Sequence, residues 1–491
     1  MTALPKWSLA LVAGLIFPLG FSPFDLWPLI PVSAGTLYAL LRNGATHPGR
    51  IGWVYGLGAF GVGVSWVYVS IHVYGNTAIW LAGTLTALFC GGLALLFALQ
   101  TVIFQRWALQ RGLLSVVQFA ALWVLFEWLR SWLLTGFPWL YAGYGALHDG
   151  LDGWIPVVGV YGCSFLLVAL GAAVAEVTLG ASRRCTAAIV AAVGTILIAI
   201  GIGFRQIDWT TPTGDPLAVA LVQPNTPLAQ KWDRRYLDSI LTHFEQTNET
   251  LSQDHALIIW PESALPSYRD RILHVIETVD AHARAAGTSI ITGVPSRQSG
   301  SAFNSIEALG NGSGIYHKQK LVPFGEYVPL ASWLRGLIGF FDLPMSQFAA
   351  GPDEQTLLRA GAHDVATLIC YEVVYPDFVA TMARQADLMV TVSNDTWFGN
   401  SSGPWQHFQM ARFRAAELGK NLLRSTNDGV SAIVDHRGQV RVSAGQFTES
   451  VIVGQVEPRS GLTPFARTGS APVLTLCFLA LLLGRRRRDY W

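Results

Sequence analysis

Eight apolar stretches constrain this chain more than any other feature. Seven lie near 7–21, 24–41, 52–71, 77–104, 113–135, 154–179 and 186–204, and an eighth near 468–484. Roughly 20 apolar residues span a bilayer. Inside lipid a backbone must satisfy its own hydrogen bonds, so such stretches fold as helices. The sequence therefore predicts a polytopic α-helical membrane domain with about eight transmembrane helices. The fourth stretch is long enough to tilt, and the first two are short and split by Pro23. The opening stretch reads as uncleaved: its only early cation is Lys6, no A-x-A site follows, and the apolar pattern continues.

Composition locates the rest. The chain is 51% hydrophobic and 13% charged, with a mean hydropathy of +0.38, against about 25% charged in ordinary soluble domains. The deficit falls in residues 1–205, whereas 208–465 read as globular. The predicted division is a membrane domain at 1–207, a water-facing domain at 208–465, and a last helix with a basic tail at 466–491. A net charge of +1 gives no field that would draw nucleic acid.

Lys and Arg placement sets the expected orientation. Inside segments would carry Lys6, then Arg42 and Arg50, Arg106 and Arg111, Arg183 and Arg184, and finally Arg485 to Arg488. Outside loops would carry Asp25, His72 and the mixed stretch from Glu127 to Asp152. Both termini are then cytoplasmic and the globular domain periplasmic. Charges deep in the membrane stretches are few (Glu127, Arg130 and Glu176), which argues against an ion-driven transporter.

In the globular part, short apolar runs at 217–223, 256–260, 288–294, 364–370 and 386–393 read as strands buried on both faces. Between them Leu237, Ile240, Leu241, Phe244 and Leu251 fall at helical spacing. So do Ile272, Val275, Ile276, Val279 and Ala283, with Gly287 as the residue that ends the helix. Alternation of this kind predicts an α/β domain. Glu262, Cys370, Asn394 and Asp395 stand at or near strand ends, where α/β folds gather their sites. Lys318 lies where a strand runs into a loop.

Of five cysteines, Cys90, Cys163, Cys185 and Cys477 lie in or beside apolar stretches, as small hydrophobes do. Cys370 is alone in the globular part. No CxxC or Cys/His cluster points to a disulfide framework, a metal or another cofactor. A thiol becomes nucleophilic when it loses its proton to a neighbouring base. A cation can favour the thiolate or stabilise the oxyanion formed on attack. Cys, Glu and Lys thus suffice for acyl transfer, although each alone is more often structural.

The surrounding motifs decide between these readings. WPESALP around Glu262, KQKLVPFGEYVPL from Lys318 and ICYEVVYP around Cys370 resemble, in order, the three motifs of the nitrilase, or carbon–nitrogen hydrolase, superfamily. With the membrane stretches and the run SNDTWFGNSSGPWQHFQMARFRAAELGKNLLRSTNDG, the whole chain resembles the apolipoprotein N-acyltransferase family of the bacterial inner membrane. The resemblance implies an αββα sandwich. It implies Cys370 as nucleophile, Glu262 as general base and acid, and Lys318 as oxyanion stabiliser. The family spacing selects Lys318 over Lys320. Glu326 would be a second carboxylate that orients the lysine, or else a plain salt bridge. Tyr371 and Glu372 match supporting residues, and Trp232 matches a substrate-contacting tryptophan, or else packs in the core.

The same resemblance implies a phospholipid acyl donor, an apolipoprotein acceptor, a thioester on Cys370, no cofactor and a monomer. A membrane-bound amidase or lipid hydrolase with the same triad is the alternative. A binding protein on the same scaffold is disfavoured, because all the triad residues are present. Apolar residues at 328–348, together with Trp397, Phe398 and Trp405, are expected either at the lipid interface or packed on the chain's own helices. The orientation is checked by reporter fusion. Alkaline phosphatase joined near residue 300 should be active and the same reporter joined after residue 491 inactive; the reverse pattern overturns it.

Overall fold

The computed structural model describes residues 5–108, 112–148, 150–179, 183–327 and 348–483. Most of the apolar run at 328–348 and the terminal arginines lie outside the described residues. Helices stand at each expected apolar stretch: Lys6–Ile16, Leu29–Arg42, Pro48–Gly63, Ile79–Ile103, Leu113–Arg130, Ile155–Leu179, Arg183–Arg205 and Ala471–Leu483. Four spans are long and apolar enough to cross a bilayer, Ile79–Trp107, Leu113–Arg130, Asp152–Leu179 and Arg184–Arg205. A fifth results if Pro48–Gly63 and Val67–Tyr74, bent by 59°, count as one. Lys6–Gly20, Leu29–Arg42 and Ala471–Leu482 are apolar but shorter.

The expectation of about eight full crossings is therefore met in helix position and not in length. Apolar composition does not report where the backbone breaks. The stretch expected to reach 135 stops helically at Arg130, because Leu134 and Thr135 take φ of 51° and 78°. Small residues let helices approach closely in lipid. A Cβ on Gly171 would lie 2.0 Å from the Pro31 carbonyl oxygen and one on Gly35 2.4 Å from that of Gly171. Only glycine allows the Leu29–Arg42 and Ile155–Leu179 helices to touch there.

The globular part contains two large sheets and two small two-stranded ones among the described residues. The six-stranded sheet runs Ser450–Val456, Leu217–Gln223, Leu257–Ile259, Ser289–Gly293, Ser305–Gly310, Ile315–His317. Its Leu217–Gln223, Leu257–Ile259 and Ser289–Gly293 strands are parallel. The seven-stranded sheet runs Val440–Ser443, Ala432–Val434, Leu422–Thr426, Leu388–Ser393, His363–Ile369, Leu358–Ala360, Gly312–Ser313. Each expected strand is present. Ser305–Gly310, Leu358–Ala360 and the strands from Leu422–Thr426 to Ser450–Val456 escaped the sequence reading because they are short or interrupt their apolar residues with polar ones, as Glu307, Arg359 and Arg424 do.

Strand periodicity of two distributes the apolar residues between three cores. Val219 and Leu221 enter the core between the sheets, facing Val365, Val390, Val392 and Leu423. Their neighbours Ala220 and Val222 turn to Ile240, Phe244, Val275 and Val279 on the Arg234–Leu251 and Leu273–Ala286 helices. Ala366, Leu368 and Met389, on the far side of the other sheet, join a core continuous with the membrane helices. The layers are α, β, β, α, as expected. The second helical layer, chiefly Gly403–Leu418, is clamped between its sheet and the membrane domain.

That helix is almost wholly buried and yet polar. Its side chains answer backbone and indole groups that the broken membrane helices leave open. Gln406 Oε1 accepts from Trp139 Nε1 at 2.8 Å and Trp66 Nε1 at 3.2 Å, and its Nε2 donates to the Gly63 carbonyl at 3.1 Å. Gln409 accepts from Ser22 N. Glu417 Oε1 accepts from Val160 N at 2.8 Å, just past Gly159, whose φ of 62° breaks its helix. Each buried donor or acceptor left without a partner costs about 1–3 kcal/mol. Gln406→Leu should therefore lower the midpoint of thermal unfolding in detergent by several degrees, about 3 kcal/mol in stability; an unchanged midpoint refutes this docking role.

Candidate active site

Glu262, Lys318 and Cys370 come from different strand ends, and Glu262 and Lys318 meet Glu326 in one buried cluster. Glu262 follows Leu257–Ile259 on a tight turn in which Ser263 takes φ 48°. The turn lies against Gly293, where a Cβ would sit 2.4 Å from Ser263 N and 2.6 Å from Pro261 O. Lys318 directly follows Ile315–His317. Its ammonium lies 2.8 Å from Glu326 Oε2 and 3.6 Å from Glu262 Oε1. Asn304 Nδ2 donates to both carboxylates, at 2.8 Å each. The Asn394 backbone N–H donates to Glu262 Oε2 at 2.8 Å, and Lys231 Nζ to the Glu262 carbonyl at 2.9 Å. Lys320 turns elsewhere, over the Phe378 ring.

Cys370 ends His363–Ile369 and opens a short 3-10 turn, Cys370–Val374, with φ 51°. A non-glycine residue in that region costs of order 1–3 kcal/mol and persists only where its surroundings hold it. Two contacts hold it here. Glu372 Oε2 accepts from Ile369 N at 2.8 Å. His407 Nε2–H donates to the Cys370 carbonyl at 3.1 Å. The other Glu372 oxygen accepts from Tyr316 OH and Gln319 N, both at 2.7 Å. Glu372 thus ties the cysteine turn to the lysine loop. Tyr371 ties it to the membrane domain: its hydroxyl donates to Gly136 O at 3.1 Å and its ring stacks on Trp139. Trp232 is half-buried and follows Lys231.

The charges fall into order. Burial pushes the Cys370 thiol up to about 12; Glu262 pushes the same way and Lys318 opposes. Burial would pull Lys318 down, but Glu326 and Glu262 more than offset it and hold the ammonium charged. Burial also raises Glu372, to about 7. The resting site therefore pairs a protonated thiol with a charged lysine, and the thiol proton must leave as the sulfur attacks.

Asn304, Lys231, His407 and Arg424 were not found from the sequence. Their signals were a lone Asn between strands, a Lys beside the noted Trp232, and a His and an Arg within apolar surroundings. Asn394 and Asp395 were noted only as strand-end residues; Asn394 contributes its backbone. Asp395 accepts from Arg424 at 2.7 Å and Ser393 at 2.6 Å, and contacts His407 Nδ1 at 3.0 Å. Ligand atoms of Cys370, Asp395 and His407 lie within 4.8 Å of one another. The Arg424 guanidinium already balances that carboxylate, which fits a hydrogen-bond network better than a cation site. Phe398 packs edge-on against Trp66 at 4.7 Å, so its ring serves contact with the membrane helices.

Residues 13–173 match the family model described as the apolipoprotein N-acyltransferase N-terminal domain, and residues 218–464 match carbon–nitrogen hydrolase. The chain is 44% identical over 501 residues to a protein of Pseudomonas syringae pv. tomato named apolipoprotein N-acyltransferase, covering 98% of each chain. It is 44% identical to the Azotobacter vinelandii protein of that name, covering 99% of this chain and 96% of the relative. For the Coxiella burnetii protein the identity is 37%, with 97% and 99% covered. Matches of this length across both the helical and the α/β parts mean that the chain belongs to the apolipoprotein N-acyltransferase family, a membrane branch of the carbon–nitrogen hydrolases.

Proposed function

We propose that the chain transfers a fatty acyl group from a membrane phospholipid, through a thioester on Cys370, to the α-amino group of the N-terminal diacylglyceryl-cysteine of apolipoproteins. The observation that carries this reading is the buried Glu262–Lys318–Glu326 cluster beside a strained Cys370, on a turn docked against membrane helices. Both substrates are lipid-anchored, so a site in contact with the membrane domain is where such a reaction belongs.

In the first half-reaction Cys370 Sγ attacks the ester carbonyl of the donor as Glu262 takes the thiol proton. Lys318 faces the negative oxygen that develops. Collapse breaks the ester C–O bond, and the departing lysophospholipid alcohol takes the proton from Glu262. In the second, the neutral amine attacks the thioester, Glu262 takes its proton, and the thiol leaves with that proton restored. Donors aimed at an oxyanion are worth about 10²–10³ in rate. Glu326 would keep Lys318 charged and positioned, and Trp232 would contact substrate.

The placement of Lys and Arg supports an inner-membrane protein with residues 208–465 periplasmic, 1–207 and 466–491 in and at the membrane, and cytoplasmic termini. A monomer with phosphatidylethanolamine as donor completes the reading.

Mass spectrometry tests it. With phospholipid vesicles and no acceptor, the protein should gain one acyl group, absent in Cys370→Ala and released by neutral hydroxylamine. A diacylglyceryl-cysteine peptide with a free amine should discharge it, and the acetylated peptide should not. Glu262→Gln should reduce acyl-enzyme formation at least about 100-fold while the protein still folds; near-normal formation would make another group, Glu326 first, the base. Continuous fatty-acid release without acceptor, as fast as peptide acylation, would replace the transferase by a hydrolase.

A further inference from the structure

Behind Glu262 lies a second polar shelf that the triad chemistry does not use. Asp428 and Asn427 follow the Leu422–Thr426 strand. Asp428 is 5% exposed and Asn427 is fully buried. Both side chains converge on one hydroxyl. Thr396 Oγ1 donates to Asp428 Oδ2 at 2.6 Å, and Asn427 Nδ2 approaches the same oxygen at 3.5 Å. Asn427 Nδ2 is anchored on Thr226 O at 2.8 Å. Thr396 Oγ1 also lies 2.7 Å from Asn394 Oδ1, and the Asn394 N–H holds Glu262. The shelf is thus joined to the proposed base by a short chain of hydrogen bonds.

The remaining atoms of the shelf are acceptors without protein partners. Asp428 Oδ1 and Asn427 Oδ1 are buried and make no hydrogen bond among the described residues. No ion pair reaches Asp428 among them. Lys231 is turned to the Glu262 carbonyl instead. A buried carboxylate oxygen with no donor is costly unless something brings one. Two acceptors, one carrying charge, beside a carboxylate base call for a small group with several N–H donors and a positive charge.

We propose that Asp428, together with the Asn427 side-chain carbonyl, binds the primary ammonium group of a substrate next to Glu262. This rests on the acyl-transfer reading above. Two substrates there carry such a group: the ethanolamine headgroup of the donor and the α-amine of the acceptor. Burial raises Asp428 to about 6, with Asp395 adding to it and Thr396 and Lys231 opposing, so the carboxylate is charged at neutral pH. An acceptor ammonium held there gives one proton to the Asp428 carboxylate and attacks as the neutral amine, and Glu262 takes the second proton as the amide forms.

The experiment follows each half-reaction on the full-length protein. Loading of Cys370 is timed with vesicles of phosphatidylethanolamine and, separately, of phosphatidylglycerol, which has no amine. Discharge is timed against the diacylglyceryl-cysteine peptide. A hydrogen bond to a charged group is worth about 1.5–3 kcal/mol, roughly 10–100-fold. If the headgroup is the ligand, Asp428→Asn should slow loading from phosphatidylethanolamine at least about tenfold and leave loading from phosphatidylglycerol unchanged. If the acceptor amine is the ligand, the variant should load normally and raise the KM for peptide at least about tenfold. Asp428→Glu should restore part of either loss. Equal slowing with both lipids, or no change in any arm, overturns the proposal.

A measurement on the unaltered protein does not depend on the variant folding. Ethanolamine, with its N–H donors, should compete with the amine-bearing substrate, and choline should not; equal effects of the two overturn the proposal. Absence of any adduct in the unaltered protein would instead defeat the acyl-transfer reading.

Discussion

The structure depends on a polar helix buried between a sheet and a set of lipid-embedded helices. Gly403–Leu418 has the catalytic α/β domain on one side and the membrane domain on the other. An apolar helix could fill that space, but it could not answer the open N–H and C=O groups at the breaks near Ser22, Gly63 and Gly159. Gln406, Gln409 and Glu417 do so. Within hydrocarbon an irregular backbone survives only where protein satisfies it. The breaks in the membrane helices and the polarity of this helix are therefore one feature seen from two sides.

The same helix reaches the chemistry. His407, one residue beyond Gln406, donates to the Cys370 carbonyl and packs beside Trp139. Trp139 in turn stacks on Phe137 and Tyr371. The left-handed turn that carries the thiol is thus held from the membrane side by aromatic and hydrogen-bonded contacts. From the sheet side it is held by Glu372, which joins it to the lysine loop. The contacts from the membrane side give the Cys370 thiol a fixed position relative to the membrane helices.

The electrostatics follow from burial and pairing. Lys318 is 1% exposed and survives there as a cation because two carboxylates face it. Those carboxylates are themselves held apart from water by Asn304 and by backbone N–H groups. The thiol meets a site that neither ionises it at rest nor leaves it without a proton acceptor. Asp428 and Asn427 extend the polar surface beyond Glu262 and Lys318, with two unpaired acceptors among the described residues.

Much of this was legible in the sequence. Apolar length fixed the membrane helices as to place, because a continuous apolar stretch of this length satisfies its own backbone in lipid as a helix. Short continuous apolar runs bounded by turn residues fixed the buried strands, with Glu262 and Cys370 at their ends and Lys318 where a strand runs into a loop. What the sequence could not carry was any contact between residues distant along the chain. Asn304 bridges Glu262 and Glu326, His407 holds Cys370, and Glu372 serves as a clamp, only because two sheets and a helix bring them within 3 Å or so of one another. Helix length was likewise decided by tertiary structure. Leu134, Thr135 and Gly159 take positive φ, a conformation that hydropathy does not encode, and at Gly159 the buried Glu417 answers the Val160 N–H that the break leaves open.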